Sequence, residues 1–552
     1  MSQPNVLFIM TDQQRFDTIA ALGNEQIYTP NLDRLVRRGV TLTNAYSPCP
    51  VCVPARYGIR TGCEPPTTRS FTNGVTRPAP GQAETMEGRC GPYLGKTMRD
   101  LGYRTFGIGK FHSNPWDEEL GFEVHLHSEE LYGTPDQRAR DGFAGWIARE
   151  HPEFDYIETL MGERTEMYYM PQVSPLPAEL TVERWAADRA VEQITADDGR
   201  PYFGFVSFIG PHPPFAPPVP FNRMYDPDRM PNPVAGELAV DHMDEQIPWM
   251  NHIIWAEEIN DPHARVLKAR YYGEISYIDD CLGRILDAVE ARDASTRPAG
   301  QAAPASATFP ELVEGAKGGD ADNTVICFFA DHGDHLGDHH AWQKESFFEA
   351  SCHIPFLVSW PARLPADARR GELVSLVDLF GIATGAATTD DRGRSAAELR
   401  DGMDLLGMLA GAAQPREFLT SMYGEPGTPL FKIMVRQGDW KYIFLANGGR
   451  EQLFDVAEDP QELDNRLTAP ACLQIRLLPE DQPQPEAPVA VARRLRRLAV
   501  QRCRVPGAAA ALQGDDLRAF PYRERPRGRI YQFDRSRGVI GFPARPADVL
   551  KK

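Results

Sequence analysis

Cysteine is scarce in this sequence, with nine residues in a chain of 552. A number that is both low and odd excludes a disulfide-stapled scaffold, so we expect most of the thiols to be reduced and structural. Long apolar runs are absent as well, because no stretch approaches the roughly 20 residues that a membrane helix needs. The N-terminus has no basic segment followed by an apolar one, and we therefore expect a cytoplasmic protein.

Basic residues are the minority charge. Lysine and arginine number 59 against 77 aspartates and glutamates, which gives a net charge of −18. Such a field repels polyanions and argues against a nucleic-acid partner or an anionic membrane surface. The apolar share of 42% and the charged share of 25% are those of a globular protein. A small anionic ligand would need a local cluster of Lys, Arg, His or metal to override the overall charge.

Short apolar runs without polar alternation are typical of strands buried on both faces, as in a parallel sheet covered by helices. The sequence has four of them, at residues 5–10, 104–108, 201–208 and 324–330. Helical periodicity lies between them, at residues 32–38, 93–101 and 264–291. This alternation predicts an α/β fold with a mostly parallel central sheet flanked by helices.

Each apolar run is followed by a polar residue that is able to do chemistry. These residues are Asp12, Lys110, His212 and Asp331. Ligands of open α/β sheets bind outside the carboxyl ends of the strands. We therefore expect these four side chains to meet at one edge of the sheet, although they are far apart in sequence.

Changes in composition divide the chain into three predicted parts. Residues 1–415 form the large α/β domain, in which residues 293–322 are rich in Ala, Pro, Gly and Asp and predict a surface insertion. Residues 416–475 contain strand-like runs such as 440–445 and are predicted to form a smaller antiparallel sheet. Residues 476–552 are rich in Arg, Pro and Ala, and we expect an arm that packs on the body or on a neighbouring subunit of a homo-oligomer.

The segment at residues 47–62, SPCPVCVPARYGIRTG, admits three interpretations. Cys49 and Cys52 would form a CxxC redox pair, but the strand before and the helix after such a pair are missing from the pattern. Cys52 would otherwise be a buried, inert thiol. The third interpretation rests on the residues that follow, because Cys52-Val53-Pro54-Ala55-Arg56 resembles the Cys-x-Pro-x-Arg signature of the type I sulfatases, a family of the alkaline phosphatase superfamily.

The resemblance implies a modified nucleophile at position 52. In that family a formylglycine-generating enzyme oxidises the signature cysteine to formylglycine, and the aldehyde hydrates to a gem-diol. One hydroxyl attacks sulfur and the other expels sulfate by collapse to the aldehyde, which gives covalent catalysis an exit that a serine ester lacks. Cys52 would therefore become the nucleophile, and Arg56 would pair with its oxygen or with a metal carboxylate.

Two residue pairs resemble the family's metal ligands. Asp12-Gln13 follows the first apolar run, and Asp331-His332 follows the last. Together with residue 52 they imply one divalent cation that acts as Lewis acid and template. Many relatives have a calcium-type Asp-Asp and Asp-Asn set here, whereas the imidazole of His332 makes manganese a candidate beside calcium. Three further histidines are interpreted as loop residues or as neighbours of the ligands, namely His335, His339 and His340.

Other segments resemble the family's sulfate-binding residues. Gly109-Lys110-Phe111-His112 is similar to its Gly-Lys-Trp-His segment, so Lys110 is expected on the sulfate oxygens and His112 is expected to act as a base at the gem-diol. His212 is the candidate for a contact near the leaving oxygen. Lys344 is the candidate general acid or sulfate clamp, and Asn73 is a candidate substrate contact.

The resemblance runs in matching order over residues 4–130, 200–220 and 265–465. It implies an alkaline-phosphatase-like large α/β domain and a smaller C-terminal α+β subdomain with an antiparallel sheet, in agreement with the fold predicted from the apolar runs. The signature departs from the family at Ala55, where a serine is usual. With its site residues in place, the chain is expected to be a metal-dependent hydrolase of sulfate monoesters.

Two other functions fit parts of this pattern. Phosphonate monoester hydrolases and related phosphodiesterases share the scaffold, the formylglycine and the Asp-His pair, but that branch lacks the Lys-x-His segment that Lys110 and His112 form here. A non-catalytic sulfatase-like protein would bind an anion or a partner and keep an unmodified thiol at position 52. The organic half of the ester stays open, since residues 113–200 and 216–262 are expected to line its pocket. Their aromatic residues, each a candidate for core packing or substrate contact, are Trp116, Trp146, Tyr168, Tyr169, Trp249 and Trp255.

Overall fold

The computed structural model describes most of the chain. The described ranges are 3–74, 78, 83–129, 135–155, 169–236, 244–254, 256–296, 321–388, 397–467 and 487–525. Residues 297–320 of the predicted insertion lie outside these ranges, and so do Tyr168 and Trp255.

The large sheet has eight strands in the order β4-β3-β5-β1-β6-β7-β2-β8. Their bounds are β1 (Asn5–Thr11), β2 (Val40–Tyr46), β3 (Arg104–Gly109), β4 (Val124–His127), β5 (Tyr202–Ser207), β6 (Thr324–Ala330), β7 (Phe356–Ser359) and β8 (Ala368–Ser375). All neighbours are parallel except β7, which is antiparallel to both β6 and β2. The four strands predicted from apolar runs are β1, β3, β5 and β6, and they lie side by side, which confirms the mostly parallel sheet.

The central strands are buried on both faces, as their sequences predict. On one face of β1, the ring of Phe8 lies edge-on to Phe203, Phe205 and Phe329, with centroids 5.5, 6.0 and 5.8 Å apart. On the other face, Leu7 belongs to a separate apolar cluster that includes the flanking helices. Burial of each such side chain contributes roughly 1.5–3 kcal/mol to folding. Two cores of this kind hold the carboxyl ends of the strands at fixed positions.

Helices cover both faces of the sheet. Their bounds are α1 (Pro30–Arg38), α2 (Cys52–Thr61), α3 (Pro65–Thr68), α4 (Met86–Cys90), α5 (Leu94–Asp100), α6 (Pro135–Arg140), α7 (Gly142–Glu150), α8 (Val182–Thr195), α9 (Gln246–Ile253), α10 (Asp261–Thr296), α11 (Glu349–Cys352), α12 (Asp378–Thr388), α13 (Leu405–Leu409) and α14 (Pro488–Cys503). The predicted helices at 32–38, 93–101 and 264–291 correspond to α1, α5 and α10. Among the described helices, none is both long and apolar enough to cross a bilayer.

A second sheet of four antiparallel strands follows the large one. Its order is β12-β11-β10-β9, with β9 (Leu419–Tyr423), β10 (Lys432–Gln437), β11 (Trp440–Leu445) and β12 (Arg450–Asp455). The run at 440–445 is β11, so the predicted antiparallel sheet is confirmed. A two-stranded ribbon, β13 (Leu512–Gln513) and β14 (Asp516–Leu517), comes after α14.

The described part of the C-terminal arm, residues 487–525, packs on the body of the same chain. Val491 and Leu495 of α14 are fully buried in one cluster with Tyr442 and Phe444 of β11. The sequence left open whether the arm packs on the body or on a neighbouring subunit, and this part of it packs on the body. A homo-oligomer stays a prediction.

Candidate functional site

The carboxyl ends of neighbouring strands form one edge of the large sheet, and the predicted chemical residues lie there. The main-chain N–H of Asp331 donates to the carbonyl of the last residue of β1 at 3.3 Å, which places it beside Asp12. The N–H of Asp12 donates, at 3.2 Å, to the carbonyl two residues before His212. Strand β3 ends directly before Lys110. The structure thus brings the four residues together.

Cys52 is the first residue of α2, and its side chain faces this edge. Its sulfur lies 3.2 Å from Lys344 Nζ, 3.3 Å from His332 Nε2 and 3.9 Å from Asp12 Oδ1. The N-terminus of a ten-residue helix favours an anion through its free N–H groups and its dipole. Cys49 takes no part, since its thiol donates to the carbonyl of Phe71 and neither cysteine is in a disulfide.

One buried group of side chains has the composition of a metal site. Within the described ranges, ligand atoms of Asp12, Cys52, Asp331 and His332 all lie within 4.8 Å of one another. Two carboxylates and an imidazole are donors that a divalent cation accepts, and the imidazole is better suited to a transition ion than to calcium. The residues present therefore fit a divalent cation.

Arg56 holds the two carboxylates of this group. Its Nη2 lies 2.7 Å from Asp12 Oδ2, and its Nε lies 2.9 Å from Asp331 Oδ2. All three side chains are almost completely buried. The Oδ1 atom of Asp331 accepts from the N–H groups of Gln13 and His332 at 3.1 and 3.0 Å. The resemblance left two partners open for Arg56, and in the structure it pairs with the carboxylates of Asp12 and Asp331.

Three residues predicted to be catalytic surround residue 52. Lys110 is fully buried, and its Nζ lies 2.6 Å from Asp12 Oδ2. His112 lies close enough to Cys52 to help lower the pKa of its thiol. The Nζ of Lys344 donates to Gln13 Oε1 at 2.7 Å as well as to the sulfur.

His212 and Asn73 approach the site in different ways. His212 is buried, and its Nδ1 lies 2.8 Å from the carbonyl of Pro213. Asn73 is exposed, and its Oδ1 accepts from the N–H of Val53 at 2.9 Å. That bond satisfies one of the free N–H groups in the first turn of α2. Asn73 therefore fixes the start of the helix that carries residue 52.

Positive charge dominates the electrostatics of the site. Burial and the Cys52 sulfur both disfavour ionised Asp12, but Lys110, His212 and Arg56 outweigh them and hold the pKa of Asp12 well below its usual value. Burial also disfavours a Cys52 thiolate, and Lys344 and Lys110 reverse this, so the pKa of the thiol falls well below its usual value. The local cluster overrides the net charge of −18 and suits a small anion.

The three additional histidines are not part of the group formed by Asp12, Cys52, Asp331 and His332. His335 Nε2 is 2.6 Å from Ser346 Oγ, and His339 stacks on Phe348 with ring centroids 3.8 Å apart. His340 Nε2 lies 3.1 Å from the carbonyl of Gly236. They pack and hydrogen-bond in the loop, as interpreted from the sequence.

Four of the aromatic candidates are described, and each has a packing partner. The ring centroids of Trp116 and His127 lie 4.7 Å apart, and those of Trp146 and Phe143 lie 6.0 Å apart. Trp249 lies under the guanidinium of Arg525. Tyr169 is buried against Trp342 and, through its hydroxyl, contacts Asp334 in the loop after β6.

Glu129 is a site residue that the sequence did not suggest. Its Oε1 accepts from the N–H of Phe111 at 3.1 Å and from that of His112 at 2.5 Å. His127 Nε2 lies 2.6 Å from the same oxygen. The carboxylate thereby holds the turn after β3, where His112 has a φ of 48°. Glu129 follows β4, whose sequence VHLH is not apolar, so the rule that located the other strand-end residues missed it.

Known proteins match this chain over most of its length. A family model for sulfatases matches residues 4–296 and 310–388. The arylsulfatase of Clostridium perfringens is 25% identical over 483 residues, covering 85% of this chain and 91% of that protein. The choline-sulfatase of Rhizobium meliloti is 27% identical over 486 residues, covering 85% of this chain and 83% of that protein.

A solved structure supports the fold. The phosphonate monoester hydrolase from Silicibacter pomeroyi matches with a TM-score of 0.68 and 20% identity, over 95% of this chain and 100% of that chain. The predicted alkaline-phosphatase-like architecture is thereby confirmed. Because the family model spans more than half of the sequence, the chain belongs to the sulfatase family, whose enzymes hydrolyse sulfate esters.

Proposed function

We propose that this chain is a metal-dependent hydrolase of sulfate monoesters that uses formylglycine, made from Cys52, as its nucleophile. The observation that carries the proposal is the position of residue 52. It begins a helix and lies 3.2–3.9 Å from an ammonium group, an imidazole and a carboxylate in a buried, positively charged cluster. Such charged neighbours are not expected around a cysteine that is neutral and only structural.

The residues divide into those that hold a cation and those that handle the sulfate. A divalent cation bound by Asp12, Gln13, Asp331 and His332 would supply Lewis-acid stabilisation of oxygen charge. The donor set includes an imidazole, which favours Mn²⁺ over Ca²⁺. In the same way, the hydrated aldehyde at position 52 would supply the attacking hydroxyl.

The remaining side chains bind the anion and move protons. Lys110 and His212 offset charge on the sulfate oxygens, which is the electrostatic part of catalysis. His112, which lies beside residue 52 and helps lower the pKa of its thiol, is placed to take a proton from it. Lys344 is placed to give a proton to the leaving oxygen. We also propose that a formylglycine-generating enzyme matures the chain in the cytoplasm.

The experiment compares the wild type with Cys52→Ala on 4-nitrophenyl sulfate. We expect turnover to fall by more than about a thousandfold, since the nucleophile is lost, while the melting temperature is kept. Peptide mass spectrometry should show the aldehyde at position 52 in the wild type, and metal analysis should find one divalent ion. Cys49→Ala is the matched control and should retain activity. Wild-type rates in Cys52→Ala would contradict the proposal, and an unmodified thiol without metal would favour a binding protein.

Phosphonate monoester hydrolysis is the second candidate, because a solved hydrolase of that kind has the same fold. The Lys110 and His112 pair argues for sulfate, since that branch lacks it. We expect the wild type to have a higher kcat/KM on 4-nitrophenyl sulfate than on 4-nitrophenyl phenylphosphonate. The reverse order would replace the sulfatase assignment by the second candidate.

A further inference from the structure

The side-chain amide of Gln13 has two ends of similar shape and opposite character. Its Oε1 is an acceptor that is able to bind a cation, whereas its Nε2 carries two hydrogens and is not. In the structure Oε1 accepts from Lys344 Nζ at 2.7 Å, beside residue 52. A glutamine therefore serves as a metal ligand here only if its surroundings select this one of two orientations.

Among the described residues, the hydrogen-bond partners of Nε2 are all acceptors. It donates to Asp334 Oδ2 at 2.5 Å, and it lies 3.4 Å from both Tyr169 Oη and Gln343 Oε1. Asp334 is fully buried. A carboxylate only accepts, so reversing the amide would press Oε1 against a carboxylate oxygen in a region without water access.

Asp334 is itself fixed on both of its oxygens. Its Oδ1 accepts from the N–H of Leu336 at 2.8 Å, and its Oδ2 also accepts from the hydroxyl of Tyr169 at 2.5 Å. That hydroxyl in turn accepts from the N–H of Gln343 at 2.9 Å, so its single hydrogen goes to Asp334. With its oxygens engaged in this way, Asp334 lies outside the group of side chains that could hold a metal.

The main chain of Gln13 is equally constrained. Its N–H donates to Asp331 Oδ1 at 3.1 Å, and its carbonyl accepts from the hydroxyl of Tyr271 at 2.7 Å. With a φ of 68°, the residue occupies the left-handed region. With the main chain fixed, the side-chain amide is still able to rotate by about half a turn. This rotation exchanges Oε1 and Nε2 and so decides whether an acceptor is offered to a cation.

We propose that Asp334 is a positioning residue that locks the amide orientation of Gln13 so that Oε1 faces the metal site. This inference rests on the proposed function, because it takes Gln13 to be a ligand. Asp334→Asn keeps the size of the side chain and removes the contribution of Asp334 to this selection, since an Asn amide accepts either end of Gln13 and Lys344 alone is left to favour Oε1. Partners that orient metal ligands typically cost about 10–100-fold in affinity when changed.

The test measures Mn²⁺ and Ca²⁺ binding by calorimetry to chelator-treated protein, with no substrate present. We expect Asp334→Asn to weaken the binding of the preferred ion by about 10–100-fold. Asp338→Asn is the matched control, because Asp338 is a buried carboxylate of the same loop that pairs with Arg15 instead. It should leave the affinity unchanged.

A second pair of variants separates orientation from general damage. A carboxylate has two identical ends and needs no orienting partner. In Gln13→Glu alone, the new carboxylate would face the like charge of Asp334, and we expect the variant to bind the cation poorly. Combined with Asp334→Asn, it accepts from the new amide and offers its other oxygen to the ion, so we expect the double variant to bind more tightly than either single variant.

These measurements separate failure of the orienting role of Asp334 from failure of the proposed metal-dependent function. Wild-type protein that binds neither ion would overturn both. Tight binding by the wild type together with equal binding by Asp334→Asn would overturn the locking role alone, as would a double variant that binds no better than Asp334→Asn.

Discussion

At the scale of single residues, Arg56 is the side chain on which the site geometry depends most. Besides the two carboxylates, its Nη1 reaches the carbonyl of Lys110 and, at 3.1 Å, Ser207 Oγ. The planar fork of a guanidinium supplies donors in several fixed directions, whereas an ammonium is a point charge. Arg56 therefore links the ends of β1, β3, β5 and β6 through one buried group.

We expect Arg56→Lys to lower the free energy of unfolding by about 3–5 kcal/mol, because at least one buried carboxylate loses its partner. Urea unfolding followed by tryptophan fluorescence measures this. Arg34→Lys is the control, since Arg34 pairs with the exposed Asp287 and should change stability by less than about 1 kcal/mol. A loss of similar size in both variants would show that the bridge in the site is not special.

Most residues of the candidate site could be predicted from the sequence, and the exceptions have a common cause. Asp12, Asp331 and the Cys52 signature stand either directly after an apolar run or within a motif. Asp334 and Glu129 act by holding other residues through hydrogen bonds. Which acceptor lies beside which amide depends on loop conformation, and no periodicity or spacing encodes it.

At the scale of elements, the start of α1 is capped by a side chain from a distant part of the sequence. Thr29 precedes the helix without capping it through its side chain. The carboxylate of Asp279 in α10 takes over, accepting from the N–H of Leu32 at 2.7 Å and from that of Asn31 at 3.0 Å. Free N–H groups at a helix start favour such a carboxylate.

This cap predicts a pH effect. Burial raises the pKa of Asp279 from 3.8 to about 7 in the folded chain. Ionisation then costs more in the folded than in the unfolded state, so the stability of the wild type falls as pH rises from about 4 to 7. Asp279→Asn removes this cost, and its melting temperature relative to the wild type should rise over that window. A difference that is constant between pH 4 and 8 would contradict the assignment.

Elements were predictable where one physical rule dominated. β1, β3, β5 and β6 are apolar because both of their faces are buried. β8 alternates between half-buried and exposed residues over its first part, and β4 is only half-buried, so neither forms an apolar run. Edge strands of this kind are identified only once the strands with which they pair are known. Those partner strands lie far away in the sequence.

At the scale of the whole molecule, the small sheet supports the loop that precedes residue 52. The N–H of Met422 in β9 donates to the carbonyl of Pro48 at 3.0 Å. Cys49 and Val51 share an apolar cluster with Met434 and Ile443 of the small sheet. The position of residue 52 therefore depends on a sheet that supplies none of the named site residues.

The arm helix α14 is in turn the outer layer of that sheet, and this gives a prediction about catalysis at a distance. Leu495 is fully buried between α14 and the sheet, so Leu495→Ala should cost about 2–5 kcal/mol of stability through the cavity it leaves. Arg497→Ala, on the exposed side of the same helix, is the control and should change stability by less than about 0.5 kcal/mol.

Because the sheet backs the loop before residue 52, we expect the Leu495 variant to lose kcat near its lowered melting temperature while metal affinity, set by the large sheet, stays unchanged. An equal loss of metal affinity would show instead that the two sheets unfold as one unit.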